Sequence, residues 1–112
     1  MSRVSPIVAS SIAARIDIAA DDLQRVLAIL ERHVADCVVR VFGSRATHTA
    51  KRFSDLDLVV MGEVPLSSTV LAAMRDDFDE SDLPFKVDIV DWATTSESFR
   101  KIIDAGAILI AP

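Results

Sequence analysis

The stretch VFGSRATHTAKRFSDLDLVV, residues 41–60, joins two apolar runs through a Gly-Ser pair and a polar loop. The first run, CVVRVF (residues 37–42), is rich in β-branched residues and stops at Gly43, which predicts a strand that ends in a sharp turn. The second run, DLDLVVM (residues 55–61), predicts another strand that begins with two aspartates. The Gly-Ser pair and the aspartates are therefore expected at facing ends of adjacent strands.

The aspartates of the second run predict a metal site. Side chains at positions i and i+2 of a strand share a face, so Asp55 and Asp57 should point together while Leu56 and Leu58 point into the core. Two carboxylates held side by side are costly unless a cation lies between them. Oxygen ligands alone suit Mg²⁺ or Mn²⁺ better than zinc.

The Gly-Ser pair predicts a phosphate site. Gly43 has no side chain to block the approach of a phosphate to the backbone amides, and Ser44 can cap a following helix or donate its hydroxyl to that phosphate. The ten residues 45–54 suffice for a short helix and a return to the next strand. The two half-sites can then face each other.

A third carboxylate is expected on the predicted strand FKVDIVDW, residues 85–92. Lys86 and Asp88 share one face of that strand, so Asp88 can reach toward the first two aspartates, whereas Asp91 lies on the opposite face near the strand end. We therefore predict Asp88, rather than Asp91, as the third acid of a two-metal site, acting as a ligand or as the general base for an attacking hydroxyl.

The remaining pattern predicts an α/β (α+β) fold, with helices packed on a small mixed sheet. Apolar residues at helical spacing predict helices over residues 20–36 and 67–80, the second capped by Ser67 or Ser68. A short helix over residues 95–106, ended by Gly106, precedes a last extended segment. We expect one domain over residues 1–112, with residues 1–16 as an N-terminal arm.

Composition narrows the function classes. The formal charge of −5 and the pI of about 4.8 argue against long nucleic acid as a ligand. A single cysteine, Cys37, lies in an apolar run and is expected in the core, and the absence of a disulfide pair fits a reducing cytoplasm. No apolar run approaches the roughly 20 residues needed to span a bilayer, so no membrane partner is expected.

The spaced motif, GSRA and then DLD with ten residues between Ser44 and Asp55, resembles the signature of the DNA polymerase β-like nucleotidyltransferase superfamily. The short chain is similar to the minimal nucleotidyltransferases, the MntA-type antitoxins that pair with HEPN-domain toxins. The resemblance covers residues 21–110. It implies an enzyme that uses ATP and Mg²⁺, with two ions and with Mn²⁺ as a substitute, to transfer AMP onto a tyrosine of a HEPN ribonuclease toxin, with which it could form an oligomer.

The resemblance also assigns roles to residues. It implies that Gly43 and Ser44 hold the nucleotide phosphates, that the aspartates at 55 and 57 bind the metals, and that the aspartate at 88 is the third acid. Arg45 matches the arginine that follows the serine, where either a phosphate contact or a structural role is open. The chain contains no tyrosine, so a tyrosine acceptor has to lie on the partner.

One position departs from the family pattern. Many relatives have glycine two residues after the alanine of GSRA, where this chain has His48. A differently placed loop there would alter the fit of the nucleotide or the access of the acceptor. The alternatives are a catalytically weak antitoxin that neutralises its partner by direct binding and an antibiotic-modifying nucleotidyltransferase, which would need a further domain for the drug.

Overall fold

The computed structural model describes residues 11–111, and most of the predicted arm over residues 1–16 lies outside that range. From residue 20 onward the elements are α1 (Ala20–Val34), β1 (Val39–Phe42), β2 (Leu56–Val60), α2 (Ser68–Asp79), β3 (Val87–Asp91), a 3₁₀ helix (Trp92–Thr94), α3 (Glu97–Asp104) and β4 (Ile108–Ala111). The helices predicted over residues 20–36, 67–80 and 95–106 and the predicted strands are present, with ends shifted by at most two residues.

The four strands of the described chain form one mixed sheet in the order β3-β2-β1-β4. β1 runs antiparallel to both β2 and β4, and β2 runs parallel to β3. A parallel pair needs a crossover connection, which α2 supplies. The carboxyl end of β1 and the amino ends of β2 and β3 consequently meet at one end of the sheet.

The main core lies between the sheet and the first two helices. The predicted apolar stripe of α1 is buried, and so are the strand residues that alternate onto the same side of the sheet. Their most enclosed members, each 0–2 % exposed, are Leu23, Val26, Leu27, Leu30, Val39, Val41, Leu56, Leu58 and Val60. This burial fixes the phase of β2, so that Asp57 has to face the other side of the sheet.

The other face of the sheet is partly covered by α3. The Phe99 ring of α3 meets the Phe42 ring of β1 edge to face, with 5.8 Å between the ring centroids. Ile103 of α3 and Val59 of β2 are both fully buried. Helices therefore lie on both faces of the sheet, which agrees with the predicted α/β layers.

The loop after β1 differs from the expected short helix. It makes a single turn, in which the amides of Ala46 and Thr47 both donate to the Gly43 carbonyl. His48 then adopts φ of 60°, a left-handed conformation that ends helical geometry. The turn is too short to count as a helix, and the chain continues irregularly to β2.

The predicted helix caps are confirmed in one case and shifted in the other. Ser67 is the N-cap of α2, where its hydroxyl accepts a hydrogen bond from the Val70 amide. At the end of α3 the C-cap is Ala105, and Gly106 follows it. Within residues 11–111 no helix is both long and apolar enough to cross a bilayer.

Candidate active site

Asp55 and Asp57 lie at the amino end of β2, as predicted. Asp55 is exposed just before the strand, and Asp57 is half-buried within it. The neighbours Leu56 and Leu58 are both fully buried on the side of α1 and α2. Strand alternation therefore directs Asp57 to the opposite face, as predicted, and Asp55 lies near enough for its charge to raise the pKa of Asp57.

Asp88 faces Asp57 across the parallel pair of strands. The register aligns Leu56 with Val87, so Asp57 of β2 is the direct neighbour of Asp88 on β3. Residues aligned in this way in adjacent strands project to the same face. The preference for Asp88 over Asp91 agrees with the geometry.

Asp91, at the carboxyl end of β3, binds backbone amides of the neighbouring loops. One carboxylate oxygen accepts a hydrogen bond of 2.8 Å from the Leu66 amide, and the other accepts one of 3.2 Å from the Ala93 amide. Asp91 is also the N-cap of the 3₁₀ helix. Both oxygens are engaged in holding the chain at the opposite end of the sheet from Asp57.

The Gly43 turn lies directly beside Asp57. Phe42 is aligned with Asp57 in the antiparallel pair of β1 and β2, so the next residue turns over that carboxylate. Gly43 adopts φ of 75°, and a Cβ at this position would lie 2.5 Å from the Asp57 Oδ2 atom. Only glycine fits here, both because of the left-handed backbone and because of the close approach.

Ser44 is placed to act with that turn. The residue is half-buried, and its carbonyl accepts a hydrogen bond of 2.9 Å from the Thr49 amide. Its hydroxyl makes no hydrogen bond to any residue within 11–111, so it can donate to an incoming phosphate. The Gly-Ser pair and the three aspartates thus occupy the same end of the sheet.

The electrostatics of Asp57 reflect this crowding. Burial raises the pKa of the Asp57 carboxyl, and the nearby Asp88 and Asp55 carboxylates raise that pKa further. A carboxylate under such repulsion is stabilised by a cation, and the oxygen-only donor set suits Mg²⁺ or Mn²⁺. The residues therefore fit a divalent ion chemically.

The side chains of the three aspartates are not arranged as a complete set of metal ligands. Within residues 11–111 no three His, Cys, Asp or Glu side chains are arranged to hold a metal ion. The Lys86 ammonium instead lies 3.6 Å from the Asp88 Oδ1 atom, on the shared face that the sequence predicts. The three-aspartate metal site stays a prediction.

The side chain of Arg45 is engaged in contacts with the protein's own backbone. It is 6 % exposed, and its guanidinium donates to the backbone carbonyls of Asp17, Arg52 and Ser54. Its charged group also lies 4.3 Å from the centre of the Phe85 ring. Burial lowers the pKa of this guanidinium, and the negative charge of Asp17 is the largest influence that opposes the shift.

A cavity of about 720 Å³ opens beside the aspartates, along β3. Its lining includes Asp57 and Asp88 and, from β1, Phe42, the residue before Gly43. The residues around it combine two aromatic rings with charged side chains of both signs. They are Phe42, Asp57, Arg75, Asp79, Lys86, Val87, Asp88, Ile89, Val90 and Phe99.

Several of these neighbours were not identified from the sequence. Phe42 could have been found, because it precedes Gly43 and shares the strand phase that directs it toward Asp57. Phe99 and Arg75 come from helices whose packing is set by the tertiary fold. His48, expected as a departure in the loop, donates a hydrogen bond of 2.7 Å from Nδ1 to the Asp17 carboxylate.

Comparison with known proteins agrees with this geometry. The family model "Polymerase beta, Nucleotidyltransferase" matches residues 24–111. The "Probable protein adenylyltransferase MntA" of Haemophilus influenzae is 48 % identical over 90 residues, which make up 80 % of this chain and 79 % of that protein.

Solved structures show the same fold. A toxin-antitoxin with AMP-PNP has a TM-score of 0.66 at 19 % identity, covering 78 % of this chain and 70 % of its own. A mutant of the toxin-antitoxin MntA-HpeT has a TM-score of 0.65 at 17 % identity, with the same coverage. The match of the family model and the identity to MntA confirm the predicted resemblance: the chain belongs to the polymerase β nucleotidyltransferase family.

Proposed function

We propose that this protein is a Mg²⁺-dependent adenylyltransferase that transfers AMP from ATP to a toxin protein and so acts as its antitoxin. The observation that carries the proposal is the meeting of Gly43, Asp57 and Asp88 at one end of the sheet. The 48 % identity to a protein adenylyltransferase supports the reaction. The fold shared with toxin-antitoxin structures, one of them with AMP-PNP, is consistent with ATP and a toxin partner.

The phosphate side of the reaction is assigned to the turn. Gly43 leaves room for the triphosphate next to Asp57, and the Ser44 hydroxyl, which has no partner among residues 11–111, donates a hydrogen bond to a phosphate oxygen. Close approach to backbone amides is what glycine-containing turns offer to phosphates. The turn thereby fixes the triphosphate relative to the acids.

The acid side is assigned to Asp55, Asp57 and Asp88, which would hold one or two Mg²⁺ ions. Bound Mg²⁺ would offset the negative charge of the triphosphate and favour the ionised form of the attacking hydroxyl. Asp88 accepts the proton of that hydroxyl. The hydroxyl oxygen forms a bond to the α-phosphorus, the bond from that phosphorus to pyrophosphate breaks, and pyrophosphate leaves.

The acceptor approaches through the cavity along β3. The acceptor hydroxyl has to reach Asp88, which takes its proton, and Asp88 and Asp57 both line this cavity. The rings of Phe42 and Phe99 give this cavity an apolar wall next to Asp88. Such a wall suits the phenol ring of a tyrosine, the acceptor that the resemblance to HEPN-toxin antitoxins implies.

The experiment uses α-labelled ATP, MgCl₂ and the protein encoded by the gene next to that of this chain. We expect label on the partner, and none on it with Asp57→Asn or Asp88→Asn. Asp82→Asn is the matched control, since Asp82 is an exposed acid in the loop between α2 and β3. Transfer that persists in both site variants would contradict the assignment.

The same experiment separates catalysis from masking. An antitoxin that acts by binding alone would form a tight complex with the partner and leave no label on it. The apolar side chains of Val64 and Ile102 are 79 % and 66 % exposed, and exposed apolar side chains of this kind could contact a partner protein in such a complex. A labelled partner whose toxicity returns when the label is removed would exclude masking as the main activity.

A further inference from the structure

A buried arginine joins the backbone segments that bear the site residues. Arg45 Nε and Nη2 donate to the Ser54 carbonyl at 3.0 and 2.7 Å, and Nη1 donates to the Asp17 carbonyl at 2.6 Å. A longer contact of 3.4 Å runs from Nη2 to the Arg52 carbonyl. The Asp17 amide in turn donates to the Arg45 carbonyl at 2.8 Å.

Several of these groups adjoin residues of the site. Arg45 itself follows the Gly-Ser turn, and Ser54 is the residue immediately before Asp55. Phe85, whose ring centre lies 4.3 Å from the guanidinium, comes just before Lys86 at the approach to β3. One planar group therefore spans the entry to both acid-bearing strands and the exit from β1.

The chemistry of this position is specific to arginine. A guanidinium presents five N–H donors in a fixed plane, so one side chain can bind several carbonyls and still stack on a ring. Lysine would keep the charge but carries a point-like ammonium that cannot reproduce the plane. The burial of a charge among carbonyl dipoles is costly unless the donors are well paired, as they are here.

The same contacts leave little of Arg45 for a ligand. The residue is 6 % exposed, and all three guanidinium nitrogens donate to backbone carbonyls. A phosphate would have to displace at least one of these bonds. Gly43, by contrast, is exposed beside Asp57, where a phosphate can approach freely.

We infer that Arg45 is a positioning residue, which aligns the Gly-Ser turn with the strands that carry Asp55 and Asp88 and does not bind the nucleotide itself. The inference rests on the proposed nucleotidyl transfer at that site. A misplacement of about 1 Å in a reacting group can cost a hundredfold in rate. Loss of the guanidinium plane should therefore slow the transfer step even when charge and nucleotide binding are kept.

The test compares Arg45→Lys and Arg45→Met with Arg52→Met. Arg52 is the matched control because it carries the same charge in the same loop, while its exposed side chain stacks on the exposed Phe53. We expect both Arg45 variants to lower kcat about tenfold to a hundredfold, and Arg52→Met to leave it within about twofold. Equal losses in the Arg45 and Arg52 variants would overturn the inference.

Nucleotide binding distinguishes positioning from phosphate contact. Mant-ATP and mant-AMP differ in the β- and γ-phosphates, so the ratio of their dissociation constants reports the contacts made by those phosphates. Energy transfer from the single tryptophan, Trp92, can measure the binding of both ligands. We expect both Arg45 variants to keep the wild-type ratio within about twofold. A ratio that collapses in Arg45→Met and is restored in Arg45→Lys would identify a phosphate ligand and overturn the inference.

Two further measurements keep the inference testable if a variant misfolds or no transfer occurs. Phe85→Leu keeps every donor of Arg45 but removes the ring beneath it, so we expect a smaller loss of kcat in the same direction. If the wild type transfers no AMP, the proposed function fails. The Mn²⁺ affinity of the nucleotide-free protein then tests whether Arg45 positions the acids. Arg45→Lys should weaken that affinity because Asp55 is displaced, and an unchanged affinity would overturn the inference.

Discussion

Asp57 and Asp88 are aligned as direct neighbours on adjacent parallel strands, and the Gly43 turn packs against the first of them. The register brings two carboxylates together on one face, and within residues 11–111 no Lys, Arg or His forms an ion pair with Asp57. A site of this kind is destabilising to the folded protein alone and becomes favourable when a cation binds. This relationship makes the following predictions.

Asp57→Asn should stabilise the metal-free protein at neutral pH. The pKa of Asp57 is raised in the folded state, first by burial and then by Asp88 and Asp55. Because the folded protein then binds more protons than the unfolded chain between the ordinary and the raised pKa, its stability falls as the pH rises through that window. The amide removes this loss.

Urea unfolding at neutral pH and below the ordinary pKa of aspartate measures this effect. We expect a higher midpoint for Asp57→Asn at neutral pH, and convergence of variant and wild type in acid. Asp82→Asn, at an exposed loop position, should change neither curve. A lower midpoint for Asp57→Asn at neutral pH would show that the carboxylate is stabilised in the free protein.

Gly43→Ala should impair both folding and activity. The left-handed φ of 75° costs a residue with a Cβ about 1–2 kcal/mol. The added Cβ would also lie 2.5 Å from Asp57 Oδ2, so the carboxylate has to move. We expect AMP transfer to fall about a hundredfold.

Gly62→Ala is the matched control for that substitution. A Cβ at Gly62 would meet nothing nearer than the Val64 carbonyl oxygen at 3.8 Å, an ordinary contact. Its unfolding free energy should change by no more than about 0.5 kcal/mol. Chemical denaturation and labelled-ATP transfer measure both variants, and equal behaviour of the two would contradict the role of Gly43.

His48→Gly should be more stable than His48→Ala. His48 has φ of 60°, and alanine keeps the cost of this conformation while losing the bond of 2.7 Å to Asp17. Glycine loses the bond but removes the backbone cost, so we expect a difference of about 1 kcal/mol in its favour. Thermal unfolding of the two variants tests this, and a more stable alanine variant would show that the loop can relax to a negative φ.

Ile103→Ala and Ile102→Ala should differ sharply although the residues are adjacent. Ile103 is fully buried, while Ile102 is 66 % exposed on the same helix, α3. The first change should cost about 2–5 kcal/mol of unfolding free energy through the cavity it leaves. The second should stay within about 0.5 kcal/mol, and a large cost for Ile102→Ala would mean that this surface is covered by a partner or by another part of the chain.

The sequence predicts the acid pair well because its orientation depends on strand alternation alone. Leu56 and Leu58 set the phase of β2, and no long-range information is needed to place Asp57 on the other face. The alignment of Asp57 with Asp88 also depends on the register of the parallel strands. The alternating pattern favours that register, but the fold as a whole fixes it.

The role of Arg45 is harder to predict because no sequence pattern marks the backbone carbonyls that it binds. Arginine is mostly exposed in proteins, and here it binds backbone carbonyls, which any residue type supplies equally. Asp17, one of those partners, lies only just beyond the predicted N-terminal arm. The left-handed conformation of His48 is likewise hidden, although a glycine expected at that position is a signal for it.

The most direct test of the central claim is a crystal structure of the protein with Mn²⁺ and a non-transferable ATP analogue. We predict anomalous difference density for Mn²⁺ about 2.1 Å from carboxylate oxygens of Asp57 and Asp88, with the triphosphate against the Gly43 turn. Manganese bound elsewhere, or a nucleotide held away from that turn, would contradict the account.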